Sequence, residues 1–305
     1  HALPRSMLRK ILKIQPERAP VYKGPLRLPE KKLGYPLSGR GAEQAARAIK
    51  LKAFEERYDK LYPMNRNASD TLTFQQFLAL NDSSVEWRLS QLEKERDDLN
   101  VVLNNWIRSP INGDVLMGPP TDDQTPILKA RHAVRQKLLN AWARIDYQEV
   151  ALNGEVLGDA INFEWENLQG VLETLPELNA TFDHVTALDL RDTHVSDGIN
   201  GFLSLFRKLG NLDLSNNRLT QVPAAIGNMP HLRDLELANN QIVLTDESVD
   251  QLGQLKTLEM LDLSNNPLGR VPNIAHLPVL DTLSLSGCGI DSWPLGVFGT
   301  PRQDD

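Results

Sequence analysis

VTALDLRDTHV (185–195), LGNLDLSNNRL (209–219), LRDLELANNQI (232–242), LEMLDLSNNPL (258–268) and LDTLSLSGCGI (280–290) are five copies of one pattern, L-x-x-L-x-L-x-x-N-x-L. Their starts lie 24, 23, 26 and 22 residues apart. Such a period marks a stack of small units, none of which can bury its own apolar face alone. The central Leu-x-Leu alternates apolar in and polar out, the period of a short strand, and identical strands stacked down a solenoid run parallel. Asn217, Asn240 and Asn266 suit the bend after each strand, where a side-chain amide can bond backbone groups that the bend strands. Leu219, Ile242, Leu268 and Ile290 then turn back into the core.

Spacings of this size belong to leucine-rich repeats and exclude the common helical repeats. The expected fold is an α+β solenoid: an N-terminal α-helical domain, then a leucine-rich repeat array with a short parallel sheet on its concave face. Val222-Pro223, Val271-Pro272 and Trp293-Pro294 predict extended returns on the convex side. The longest repeat carries TDESVDQLGQL instead, with Thr245 or Asp246 as cap of a short helix. Phe163 and Trp165 lie 25 residues before Leu188 and Leu190, so INFEWENL (161–168) reads as a degenerate first strand whose aromatics close the stack. After Trp293 comes LGVFGTPRQDD with no amphipathic capping unit, so the array is expected to continue in a longer protein.

Upstream, the pattern is helical. AEQAARAIKLKAFEERYDKLYP places Ala46, Ile49, Ala53 and Tyr58 near one face, and TLTFQQFLALN is a shorter amphipathic piece with Leu72, Phe74, Phe77, Leu78 and Leu80. A helix capped by Asp82, Ser83 or Ser84 carries Val85, Leu89, Leu92, Leu99, Leu103 and Trp106 as one apolar stripe, interrupted at Arg96. Beyond the loop SPINGDVLMGPPTDDQTP, another helix shows Leu128, Val134, Leu138, Ala141, Trp142 and Ile145 on one side. The two long helices should pack antiparallel. The expected organisation is a basic proline-rich arm (1–41), a helical domain capping the solenoid (42–148), repeats over 149–298 with a degenerate first repeat at 161–184, and a tail at 299–305. Trp106 and Trp142 are candidates for the seam between cap and array, or for the helix-pair core.

Charge is divided along the chain: residues 1–41 are net +8, residues 185–305 net −7, and the whole is net −7. The arm carries Pro16, Pro20, Pro25, Pro29 and Pro36 with little periodicity, the composition of an extended linker. Neither neighbouring segment carries a nucleic-acid motif, so no nucleic acid is expected as partner. No apolar run approaches a membrane span, and residues 1–30 do not read as a secretory signal. One cysteine excludes an internal disulfide framework.

Catalytic signatures are not found. Cys288 occupies the Asn position of the last repeat, where this repeat class accepts Asn or Cys, and His276 and Asp291 are near it only in sequence. The six histidines have no ligand spacing, and no phosphate loop or nucleophile elbow occurs. Cofactors and metals are therefore expected to be none. What the template offers is a surface. The residue between the two leucines makes a ladder of Asp189, Asp213, Glu236, Asp262 and Ser284; beside it run Ala187, Asn211, Asp234, Met260 and Thr282, then Arg191, Ser215, Ala238, Ser264 and Ser286. Arg218 joins Met260 as a less generic candidate. The face is acidic along its middle and should steer a partner with a basic surface.

PLSGRGAEQAARAIKLKAFEERYDKLYP (36–63), LEKERDDLNVVLNNW (92–106), ARHAVRQKLLNAWAR (130–144) and the passage from FDHV into the array (182–240) resemble the middle portion of very long bacterial proteins typical of pseudomonads. Those proteins join an N-terminal dermonecrotic-toxin-like region, a helical segment, a leucine-rich repeat array and a C-terminal NEL domain. The NEL domain is a ubiquitin-protein ligase with a cysteine nucleophile, known from secreted effectors. The resemblance covers nearly the whole chain. It implies a non-enzymatic recognition module of a secreted ubiquitin-ligase-type effector or toxin, delivered into a host cell, binding a host protein or the parent's own ligase domain. The NEL cysteine lies beyond the array, so no catalytic residue transfers to Cys288. The alternative functions are a structural spacer between toxin and catalytic domains, or an adhesion-type binding module.

Overall fold

A computed structural model describes residues 26–27, 33–34, 40–63, 73–80, 84–111, 124–145, 148–150 and 156–294. The chain divides at Lys60/Leu61 into two compact units. In the first, β1 (Leu26–Arg27) and β2 (Leu33–Gly34) pair antiparallel, and α1 (Arg40–Leu61) runs to the division. The rest of the arm and the tail at 299–305 lie outside the described residues. In α1 the buried residues are Phe54, Tyr58 and Leu61, whereas Ala46, Ile49 and Ala53 are exposed. The expected face is thus rotated, because large side chains at i, i+4 and i+7 bury more apolar area than alanines do.

The second unit opens with α2 (Phe74–Leu80), which buries Phe74 and Phe77 and leaves Leu80 exposed. Next comes α3 (Val85–Ile107), which follows Ser84 without the side-chain capping bond that its sequence suggests; its whole stripe of Val85, Leu89, Leu92, Leu99, Leu103 and Trp106 is buried. Against it lies α4 (Gln124–Trp142). Their pairing is antiparallel. Arg131 Nη1 donates to the carbonyls of Trp106 (3.0 Å) and Ser109 (2.9 Å), Arg135 reaches Asn104 and Asn100, and Trp142 Nε1 donates to Glu95 (2.9 Å). Arg131 is buried, and its guanidinium adds bonds to carbonyls at and just beyond the C-terminus of α3 while lying over the Trp106 ring.

A seven-stranded sheet follows, ordered β3 (Gln148–Val150), β4 (Val156–Asn162), β5 (Val185–Asp189), β6 (Asn211–Asp213), β7 (Asp234–Glu236), β8 (Met260–Asp262) and β9 (Thr282–Ser284). β3 runs antiparallel to β4, and β4 through β9 are parallel. Leu188, Leu212, Leu235, Leu261 and Leu283 stand in one register across the parallel strands. On the convex side α5 (Asn200–Leu203), the short 3-10 turn Ala224–Asn228 and α6 (Asp246–Leu252) return the chain. Thr245 caps α6 in a reciprocal pair with Ser248.

The bends are held by a column of buried amides. Asn217 Nδ2 donates to the carbonyls of Leu190, Leu214 and Ser215, while its Oδ1 accepts from Val195 N and Thr193. Asn240 and Asn266 repeat this one and two turns on. Cys288 takes the place in the last turn, its thiol directed at the Leu263 carbonyl (3.1 Å). It is buried, as a repeat position should be.

The first strand differs from its expected register. Ile161 faces Leu188 and Phe163 N bonds Asp189 O, so Ile161 and Phe163, rather than Phe163 and Trp165, fill the two leucine places. The offset is 27 residues instead of 25, and at that offset Leu168 falls on Val195. Phe163 is fully buried beside Phe202 (5.9 Å), which meets Phe206 (5.2 Å), which meets Phe182 (5.5 Å). The helix pair closes this end. Trp106 Nε1 donates to Thr174 Oγ1 (3.0 Å), Glu95 accepts from Thr181 N, and Lys137 bonds the Asn162 carbonyl above the Phe163 ring. Trp142 instead stacks on Tyr62 (5.8 Å) and serves the helix pair.

His184 stands in that seam. Its Nε2 lies 2.8 Å from the Ala141 carbonyl, which can only accept, so Nε2 carries the proton of a neutral ring. Burial first, then the charge of Arg144, lowers its pKa to about 4 from 6.5, although Asp159 approaches to 3.9 Å. As pH falls from about 6.5, the unfolded chain takes up a proton that the folded chain refuses until about pH 4. Stability should be level above this window and fall through it by up to about 3 kcal/mol. Urea unfolding at pH 7.5 and pH 5 should show the loss, and His184→Gln should flatten it; an unflattened loss would assign the titration to another group.

Candidate functional site on the concave face

Strand alternation sends every second side chain of β5 through β9 away from the leucine core. Asp189, Asp213, Glu236, Asp262 and Ser284 stand in one register row, and Ala187, Asn211, Asp234, Met260 and Thr282 in the next. Asn162 extends the first row by one rung, opposite Asp189. Neighbouring rungs of a sheet are about 4.8 Å apart, so the carboxylates feel one another strongly.

Two features make these like charges tolerable. The first is local: Asp213 and Asp262 each accept from the backbone N–H two residues on, at Ser215 and Ser264 (both 2.8 Å), and Asp189 does so from Arg191 N (2.9 Å). The second is Arg191. Its Nη2 lies 2.8 Å from Glu164 and 3.4 Å from Asp189, and its Nη1 lies 3.7 Å from Asp213. Burial opposes the Arg191 charge, yet these three carboxylates raise its pKa above the ordinary value. Burial pushes Asp189 upward as well, against the Arg191 N–H bond. Glu236 is raised by burial first, then by Asp213 and Asp262 on the flanking rungs. Negative charge is therefore least compensated from Glu236 to Asp262.

The face assembles Asp189, Arg191, Asn211, Asp213, Asp234, Glu236, Met260, Asp262 and Ser284 as the repeat pattern predicts. Arg218 does not join them. It follows the Asn217 bend, with its N–H on the Val195 carbonyl, past the end of β6. Glu164, the nearest carboxylate to Arg191, and the rung at Asn162 are not among the predicted residues. Matching at 27 residues instead of 25 reveals both.

The rim beside the face has its own order. Trp165 (φ 68°), Asp192 (57°), Asn216 (56°), Asn239 (56°), Asn265 (55°) and Gly287 (71°) occupy equivalent left-handed positions. From Trp165 to Asn265 each N–H bonds the next turn: Trp165 N to Arg191 O, Asp192 N to Ser215 O, Asn216 N to Ala238 O, Asn239 N to Ser264 O and Asn265 N to Ser286 O. Asn and Asp accept this conformation at little cost, but a tryptophan does so under strain. Trp165 is 73% exposed and does not close the core as its sequence position suggests.

Residues 183–242 match the family described as leucine rich repeat, and residues 257–277 match a second model of that description. Leucine-rich repeats are thus identified over both stretches. Among known proteins, an uncharacterized leucine-rich repeat-containing protein of Schizosaccharomyces pombe is 40% identical over 86 residues, 28% of this chain and 13% of that protein. Podocan of Mus musculus is 47% identical over 70 residues, 22% of this chain and 11% of its own length. The chain spans about an eighth of the length of these relatives. Among solved structures, the leucine-rich ectodomain of the Arabidopsis thaliana receptor kinase HAESA, in complex with an IDA peptide hormone ligand, is 20% identical with a TM-score of 0.34. It covers 54% of this chain and 33% of that one.

Relief of the strain at Trp165 is measurable. Trp165→Asn should raise unfolding stability by about 0.5–1 kcal/mol in a denaturant titration, since Asn suits the left-handed position and little packing is lost. A drop of that size would show that the indole ring is a structural contact.

Proposed function

We propose that the chain is a protein-recognition module that binds its partner through the concave face, and that it serves a larger bacterial effector or toxin of the NEL ubiquitin-ligase type, secreted or delivered into a host cell's cytoplasm. The supporting observation is the parallel face from β4 to β9, whose outward rows are mostly polar and half-buried and carry Asp213, Glu236 and Asp262 on successive rungs. A charged, rigid, solvent-facing sheet is a surface for selecting a partner by complementary charge. The effector context is supported by the resemblance of the helical segment and its junction with the array. The partner is a host protein with a basic surface, or the ligase domain of the same longer protein, in which case binding would restrain the ligase.

No catalytic step is assigned to this chain. Cys288 is buried and directed at a backbone carbonyl, which is the role of the asparagines it replaces. Among the described residues no helix is long and apolar enough to cross a membrane.

The face is tested by reversing Asp213, Glu236 and Asp262 to Lys together. The variant should keep the circular dichroism spectrum of the wild type and lose reproducible capture of protein from host lysate by about an order of magnitude; undiminished capture would remove the concave face from the reading. The context is tested by ubiquitin transfer with activating and conjugating enzymes. Transfer is expected from a longer protein carrying a ligase domain and not from the 305-residue chain. Inactivity of both would leave an adhesion-type module or a spacer as the better description.

A further inference from the structure

We infer that Ser215, Asp213, Glu236 and Asp262 form a subsite for one guanidinium side chain, an arginine of the protein partner. The inference rests on the concave-face reading above.

The repeat itself supplies the comparison. Arg191 shows how this sheet holds a guanidinium: it sits one row beyond the acidic ladder and reaches Glu164, Asp189 and Asp213. Moving one turn along the array replaces Arg191 with Ser215 and the Asp189/Asp213 pair with Asp213/Glu236. A second move gives Ala238 with Glu236/Asp262. The carboxylate pairs recur, but the row above them turns short and uncharged at Ser215, Ala238 and Ser264. Two adjacent rungs, about 4.8 Å apart, suit the planar fork of an arginine, which can bond both carboxylates at once.

A second observation points to the same place. Ser215 is 6% exposed, and its Oγ is buried with no hydrogen-bond partner among the described residues. Its neighbour Leu214 is fully buried in the core, so alternation directs Ser215 to the concave side, between Arg191 and Ala238. The equivalent hydroxyl two turns on, Ser264 Oγ, is joined to Ser284 Oγ at 2.6 Å. A buried hydroxyl left unpaired is unfavourable, and it accepts a bond readily from an N–H donor placed above it. Asp262 uses one oxygen on the Ser264 N–H and has the other to offer, whereas Asp213, with one oxygen on the Ser215 N–H and the other 3.7 Å from Arg191, adds negative charge at the edge of the subsite.

Isothermal titration of the whole chain with tetra-arginine peptide, and with its neutral tetra-citrulline counterpart, tests the subsite. Tetra-arginine should bind and tetra-citrulline should not. Glu236→Gln should weaken tetra-arginine about tenfold, whereas Asp250→Asn, the same charge change on exposed α6, should alter it less than about twofold. Ser215→Ala should weaken it about threefold. Ser215→Arg, which repeats the Arg191 arrangement one turn on, should block the peptide about tenfold while the thermal midpoint holds or rises. Equal losses in Glu236→Gln and Asp250→Asn would reduce binding to diffuse attraction and overturn the subsite, as would no binding by wild type or an unaffected Ser215→Arg variant. Those outcomes leave the concave face standing if the triple Lys variant still loses its partner; capture by that variant would sink both.

Discussion

Everything in the array depends on the polar side chain buried at each bend, which is an asparagine amide in the three central turns. A strand that bends sharply after three or four residues turns backbone carbonyls and N–H groups into the interior, where water cannot satisfy them. Asn217, Asn240 and Asn266 each supply both a donor and an acceptor to those groups, and they reach across to the neighbouring turn as well as their own. A hydroxyl or thiol covers less of the need. Thr193 takes the place in the first clear turn by bonding the Leu190 carbonyl, and Cys288 in the last by its weaker S–H. Leucine packing supplies the bulk of the stabilisation, but the column of amides is what lets the leucines be presented at that pitch.

The opposite ends of the second unit meet the stacking problem differently. At the start, four phenylalanines and the α3–α4 pair cover the first turns, with Trp106, Lys137 and His184 bonding groups of both parts. Toward the other end Leu283, Leu285 and Ile290 are only half-buried, where their counterparts Leu261, Leu263 and Leu268 are fully so. Burial of a turn comes from its neighbours, which is the mark of a nearest-neighbour stack.

How far the fold can be read from residues alone follows from how strictly each part repeats. Five in-phase copies constrain strand, bend and return together, so the register of the ladder and the structural role of Cys288 are legible in the sequence. The first strand is not, because its two aromatics mimic Leu-x-Leu two residues late; the pairing of Ile161 with Leu188 and the exposure of Trp165 resolve the choice. In α1 the apolar signal is dispersed among alanines, and Phe54, Tyr58 and Leu61 outweigh them by size. The face is legible as positions but not as electrostatics. That Arg191 would serve three acids, and that Ser215 would be buried without a partner, depends on side-chain reach across strands that no linear pattern contains.

Arg191 has one further consequence. It is placed near one end of a row of acids and is not repeated, so the sheet face is electrically asymmetric along its length: neutralised toward β4 and negative toward β8. A uniformly acidic trough would accept an extended cationic chain in either direction. On this one the two directions differ in energy, so a cationic chain laid along it would take a fixed polarity, as a key does, before any side-chain pocket had been filled.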